Sequence, residues 1–155
     1  MSKVEQKLKE LGIDIPNVPN PAAVYVPAKH FGDNLLYISG QDCRKDGKLI
    51  FEGKIGSNLS VEQGYEASRQ AMINTLAVIK GEIGDLDKIK DFVKLLGFVN
   101  SAKGFVEQPY VINGASELLE EVFGEKGKHA RSALSANELP FNTPVEIETI
   151  VEIEE

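Results

Sequence analysis

Toward the C-terminal end of the chain, one arginine and a row of glutamates stand where their side chains could work together. Arg131 lies in the run His129-Ala-Arg-Ser-Ala-Leu-Ser-Ala136, and Glu146, Glu148, Glu152 and Glu154 recur at even positions of Val145-Glu-Ile-Glu-Thr-Ile-Val-Glu-Ile-Glu154. A guanidinium offers a planar fork that matches the two oxygens of a carboxylate. The arginine therefore suits a recess that holds a small anionic group by two parallel hydrogen bonds. The competing reading is a solvated face, because Arg and Glu on the outside of an edge strand discourage sheet-to-sheet pairing and contribute little to stability.

These side chains must be positioned by strands. Val145, Ile147, Thr149, Val151 and Ile153 alternate with the glutamates, the period-2 signature of a half-buried strand. Upstream, His129, Arg131, Ala133 and Ser135 share one parity, and Leu134 and Ala136 the other. Residues 137–144, with Pro140, Pro144, Asn137 and Asn142, break regular structure between the two runs. If the runs pair as an antiparallel hairpin, their apolar sets share a face. Arg131 then lies on the same side as the glutamates, with the particular partner left open.

Earlier in the chain, Val4, Leu8 and Leu11 predict a short amphipathic helix over residues 2–11, closed by Gly12. Pro16, Pro19 and Pro21 make residues 13–21 an extended linker lying on the body. Residues 23–27 and 34–39 read as the first two strands and 49–51 as a short third. Ser60 and Gln63 form a capping-box pair ahead of a long helix, Val61–Ile83, whose apolar residues recur at steps of three and four. Residues 89–100 are apolar on both parities, as in a strand covered on both faces. A second helix over 109–123 ends at Gly124. The order predicts one domain, residues 1–155, of α+β class, with two helices packed on one face of a mixed sheet. Phe98, Ala133, Ser135 and Ile150 are less polar than a fully wet face requires, which hints that the second sheet face is also covered.

Composition narrows the function. A net charge of -7 argues against general affinity for nucleic acid or anionic membrane. No apolar run is long enough to span a bilayer, and the N-terminal residues lack a signal-peptide core, so a cytoplasmic location is expected. Cys43 is the only cysteine and has no matched histidine. His30 and His129 lack metal-ligand spacing, and no glycine-rich phosphate cradle occurs, so neither metal nor cofactor is expected.

Three blocks, Tyr37-Ile-Ser-Gly-Gln41, His129-Ala-Arg-Ser132 and Glu138-Leu-Pro-Phe-Asn-Thr-Pro-Val-Glu-Ile-Glu-Thr-Ile150, resemble the signature segments of the Rid (YjgF-type) family, and the resemblance runs from about residue 25 to the end. It implies a chorismate-mutase-like α+β fold assembled as a homotrimer, with sites between subunits. It also implies cofactor-free hydrolysis of 2-imino or enamine acids to 2-oxo acids and ammonia. By the same resemblance Arg131 holds the substrate carboxylate and Glu146 positions water, with Glu148 as its same-parity rival. Tyr25, Ser39 and Gly40 fall near the substrate. Asn113 matches an asparagine at the start of the second helix, where it could equally be a cap. Ala133 stands where short members often carry a cysteine whose backbone contacts substrate. The N-terminal helix and the extra residues over 101–109 resemble a longer branch. Two alternatives follow from the same likeness. One is a non-catalytic trimer that binds small carboxylates; the other is an endoribonuclease, against which the acidic balance counts.

Overall fold

The alternating run at the end of the chain becomes an interior strand instead of one arm of a hairpin. The computed structural model describes residues 2–18, 21 and 23–155. In chain order they form α1 (Lys3–Glu10), β1 (Ala28–Phe31), β2 (Leu35–Gln41), β3 (Arg44–Lys45), β4 (Lys48–Leu49), α2 (Val61–Ile83), β5 (Ile89–Asn100), α3 (Gln108–Phe123), β6 (Ala130–Ala136) and β7 (Val145–Ile153). The main sheet has the order β1-β2-β7-β5-β6, while β3 and β4 form a separate small hairpin. Within the main sheet, among the described residues, only the β5–β6 pair is parallel. Parallel neighbours need a crossover, and α3 supplies it. The segment 137–144 then carries the chain past the end of β5, where the Asn100 amide donates to the Pro144 carbonyl at 2.9 Å. That is why β7 lands on the far side of β5.

This topology overturns the expected pairing of the last two runs, and with it the expected facing of Arg131. Arg131 aligns with Leu95, which aligns with Thr149, so the three share the face that meets the helices. Leu134 aligns with Phe98 and Phe98 with Glu146, on the opposite face. The arginine and the glutamate row are therefore on opposite sides of the sheet. β6 is an edge strand whose inner row of Arg131, Ala133 and Ser135 is small and polar because it meets the polar end of α3. Its outward Leu134 is left 49% exposed.

The remaining sequence expectations shift by a few residues. Residues 23–27 are not a strand; ladder pairing starts at Ala28, immediately after Pro27, a residue that cannot donate to a ladder. The short third strand is the β3–β4 hairpin. Pro19 and Asn20 of the predicted linker lie outside the described residues, as do Met1 and Ala22, whereas Ile13 and Ile15 pack against the core. β5 is covered on one face only in the single chain. Leu96 and Phe98 are half-buried on the other face, beside Leu134, Ile150 and a 44%-exposed Tyr37.

Helix α2 forms as its capping box predicts, with Ser60 accepting from the Gln63 amide. It buries Ala67, Ala71, Met72, Leu76 and Ile79 against the sheet and α3. The two helices cross so closely at Gly114 that a Cβ there would sit 2.0 Å from the Tyr65 carbonyl oxygen, which excludes any larger residue. Helix α1 is a third helix, packed against α3 and held at its N-terminus by Asp87. The Asp87 carboxylate accepts from the amides of Lys3 and Val4, both at 2.8 Å. Among the described residues no helix is long and apolar enough to cross a membrane.

Candidate active site

The register of β2 against β7 slips between Ile38 and Gln41, which leaves Ser39 and Gly40 in a bulge. Ser39 is held there from both ends, its amide donating to the Pro27 carbonyl at 2.9 Å and its hydroxyl to the Val26 carbonyl at 2.7 Å. Gly40 lies under the side chain of Glu146, and a Cβ would meet Glu146 Cγ and Cδ at 2.9 Å. The bulge and the absent side chain together let Glu146 lie along the backbone. The space in front of it is a cleft of about 590 Å³, lined among others by Tyr25, Ser39, Gly40, Asp42, Glu146 and Glu148.

Arg44 and Phe141 form one wall of this cleft. The Arg44 Nε donates to Asp42 Oδ2 at 3.1 Å, and the guanidinium lies 5.0 Å from the centre of the Phe141 ring. Asn74, buried on α2, pins the turn by donating to the carbonyls of Asp42 and Arg44 at 2.9 and 2.8 Å. Phe141 and Asn142 both have positive φ, 57° and 60°. Two successive non-glycine residues in the left-handed region store strain, and Phe141 is nevertheless 64% exposed over the cleft.

The cleft perturbs Glu146. Loss of hydration, then the charges of Asp42 and Glu148, push its carboxyl above the ordinary carboxylate range. Its carboxylate makes no hydrogen bond or ion pair among the described residues. Both candidate glutamates line the cleft; Glu146 is the half-buried one, and Glu148 is exposed.

On the other side of the sheet, Arg131 meets the middle of α3, where Asn113 lies inside the helix and is not its cap. Its Nη1 donates to Asn113 Oδ1 at 2.8 Å and to Ser116 Oγ at 3.1 Å. Burial lowers the guanidinium pKa from its ordinary value. No carboxylate pairs with Arg131 among the described residues. Ala133 follows it on the same face, opposite Gly97.

The structure thus divides the expected site residues into two groups. Tyr25, Ser39, Gly40, Glu146 and Glu148 meet in the cleft, while Arg131, Asn113 and Ala133 lie at the edge strand on the helix side. Sequence reading missed Asp42, Arg44, Asn74 and Phe141 as cleft residues, and Ser116 as a partner of Arg131. Asn74 carried the one available signal, a polar residue inside the apolar stripe of α2.

Helices on one face of a β1-β2-β7-β5-β6 sheet, with a carboxyl-lined cleft at the bulge of β2, define an α+β domain of the chorismate-mutase-like kind. A family model described as "YjgF/chorismate mutase-like, putative endoribonuclease" matches residues 5–153, and the chain belongs to that family. It is similar to a protein of unknown function from Agrobacterium tumefaciens, whose crystal structure is 47% identical and superposes with a TM-score of 0.91 over 98% of this chain and 93% of that one. It is 40% identical over 152 residues to protein TCP17 of Trypanosoma cruzi, spanning 97% of this chain and 94% of the relative. It is 30% identical over 147 residues to the 2-iminobutanoate/2-iminopropanoate deaminase of Dermatophagoides farinae, spanning 92% of this chain and 95% of that protein.

Proposed function

We propose that the protein hydrolyses 2-imino acids and their enamine tautomers to 2-oxo acids and ammonia, in sites built between copies of the chain in a homotrimer. The observation that carries this reading is a guanidinium that the chain holds in place and leaves without a carboxylate partner. The likeness to the mite deaminase supports it. Arg131 grips the substrate carboxylate. Glu146, with a carboxyl raised toward neutrality, orients water against the imine carbon and handles the proton passed to nitrogen. The C=N bond is replaced by C=O in two steps. Water adds to give a carbinolamine, and ammonia then leaves with the proton it has gained. Tyr25, Ser39 and Gly40 line the pocket, Asn113 steadies Arg131, and the Ala133 backbone borders the substrate.

The division of the site supports assembly. Arg131 and Glu146 face opposite sides of one sheet, so a second copy is what brings such an arginine to such a cleft. The row of Leu134, Phe98, Leu96, Ile150 and Tyr37 on the open face is apolar enough to be the surface that joins copies.

The test is release of 2-oxo acid when an imine is generated in situ by an amino-acid oxidase. The protein should accelerate it. Arg131→Ala should lower kcat/KM by about 10² or more, the scale of losing one partner of a desolvated charge pair. An unchanged rate in that variant would remove the mechanism. The family's description favours ribonuclease activity as a second reading. A cleft lined by Asp42, Glu146 and Glu148 repels a phosphate backbone, and degradation of single-stranded RNA in proportion to this protein would be needed to support it.

A further inference from the structure

The side chain of His129 is tied at both nitrogens. Nδ1 lies 2.6 Å from the Gly127 carbonyl oxygen, and Nε2 lies 2.8 Å from Ser116 Oγ. A carbonyl only accepts, so Nδ1 carries the hydrogen, and in that tautomer of the imidazole Nε2 is the acceptor. The Ser116 hydroxyl therefore donates to His129 and keeps its lone pairs for Arg131 Nη1. All donors point one way, from Arg131 to Ser116 to His129 to the Gly127 carbonyl. Each bond in such a chain polarises the next.

The other hydrogen on Nη1 goes to Asn113, which lies one turn before Ser116 on the same face of α3. Both Nη1 hydrogens are consumed by the helix. The edge formed by Nε–H and Nη2–H has no partner among the described residues, and that edge presents two parallel donors to a carboxylate. We infer that Ser116 and His129 are positioning residues that fix which edge of Arg131 faces the substrate, so that the site selects ligands whose carboxylate approaches Nε and Nη2 together. This rests on the reading of Arg131 as the carboxylate grip.

The experiment uses the full chain and 2-oxobutanoate, a stable acid of the product class, as the binding probe, alongside KM and kcat for imine hydrolysis. Ser116→Ala and His129→Ala should each weaken 2-oxobutanoate binding and raise KM about tenfold, the scale of one hydrogen bond to a charged group. The loss should fall in KM and not in kcat, because the grip acts equally on bound substrate and transition state. Ser116→Thr, which keeps the hydroxyl, should retain most of the affinity. The Ser116→Ala/His129→Ala double variant should be no worse than Ser116→Ala alone, because His129 acts through the hydroxyl. Additive losses, or wild-type binding in both single variants while Arg131→Ala abolishes it, would overturn the positioning role and leave the grip intact. Wild-type binding in Arg131→Ala would overturn the grip itself.

Discussion

The β6 edge and the β2 bulge each hold an ionisable group that the chain does not neutralise, and they do so by opposite means. Arg131 is supported by neutral acceptors: an amide oxygen and a hydroxyl, both on α3. Glu146 is crowded, with water partly excluded and the charges of Asp42 and Glu148 facing it. Support keeps the cation charged and aimed. Crowding moves the acid toward the protonation balance that proton transfer needs. Within one chain the sheet lies between the two groups and keeps them from pairing with each other.

If the site is built between copies of the chain as proposed, the most damaging change is one that keeps those copies apart. Leu134→Glu places a charge in the apolar row of the open face, where burial against a second copy would leave it unpaired. The expected outcome is a shift to monomer by sedimentation, with the fold retained and turnover at about one-hundredth or less, since the grip and the acid no longer share a site. A monomer that keeps full turnover would show that one chain suffices.

Glu146→Gln separates chemistry from stability. Turnover should fall about 10²-fold, the lower end of what a positioned acid or base supplies. Stability should move the other way. The carboxyl of Glu146 titrates above its unfolded value, so the folded state holds the proton more tightly. The wild type therefore loses stability as pH rises from the unfolded pKa through the folded one. The amide escapes that loss. Its thermal midpoint should exceed that of wild type by about one or two degrees at neutral pH, a figure discounted for half-exposure. The gain should vanish below about pH 4, where both states are protonated. Equal midpoints at neutral pH would mean that crowding costs the fold nothing.

The two regions also differ in how readily the sequence discloses them. Alternation in Val145–Ile153 identifies a strand with glutamates on one side because the period survives any choice of neighbour. The neighbour itself is not readable. A segment of the length of 137–144 serves equally as a long hairpin loop or as a passage across the end of β5, and choosing the hairpin turned Arg131 to the wrong face. Tyr25, Ser39, Gly40 and Glu146 are identifiable by resemblance and do meet in the cleft. Arg44 and Phe141 are not, because their wall depends on two residues with positive φ that no side-chain pattern announces. Ser116 and His129 are thirteen residues apart on either side of the turn after α3, and the packing of β6 beneath α3 brings them together.

Gly40→Ala tests the bulge more gently. The new Cβ would sit 2.9 Å from Glu146 Cγ and Cδ, and the flexible side chain must swing aside. Turnover should fall about tenfold, as a displaced acid no longer meets the water it orients. 2-Oxobutanoate should still bind, because Arg131 and the α3 side chains that hold it are untouched.

The smallest effect addresses the crowding itself. Three influences raise the Glu146 carboxyl, in the order burial, Asp42 and Glu148. Asp42 is a poor choice for substitution, because removing its carboxylate also frees the Arg44 guanidinium that it holds. The released cation would then favour ionised Glu146 and exaggerate the result. Glu148 has no such partner among the described residues, so Glu148→Gln removes repulsion and nothing else. The Glu146 titration, followed by carboxyl carbon NMR, should move down toward the ordinary carboxylate range but not reach it, since burial and Asp42 remain. The shift should shrink as salt is added, because Glu148 is exposed and its charge is readily screened. A titration that does not move at all would leave burial and Asp42 to account for Glu146, and the contrast with the supported guanidinium would no longer include its nearest strand neighbour.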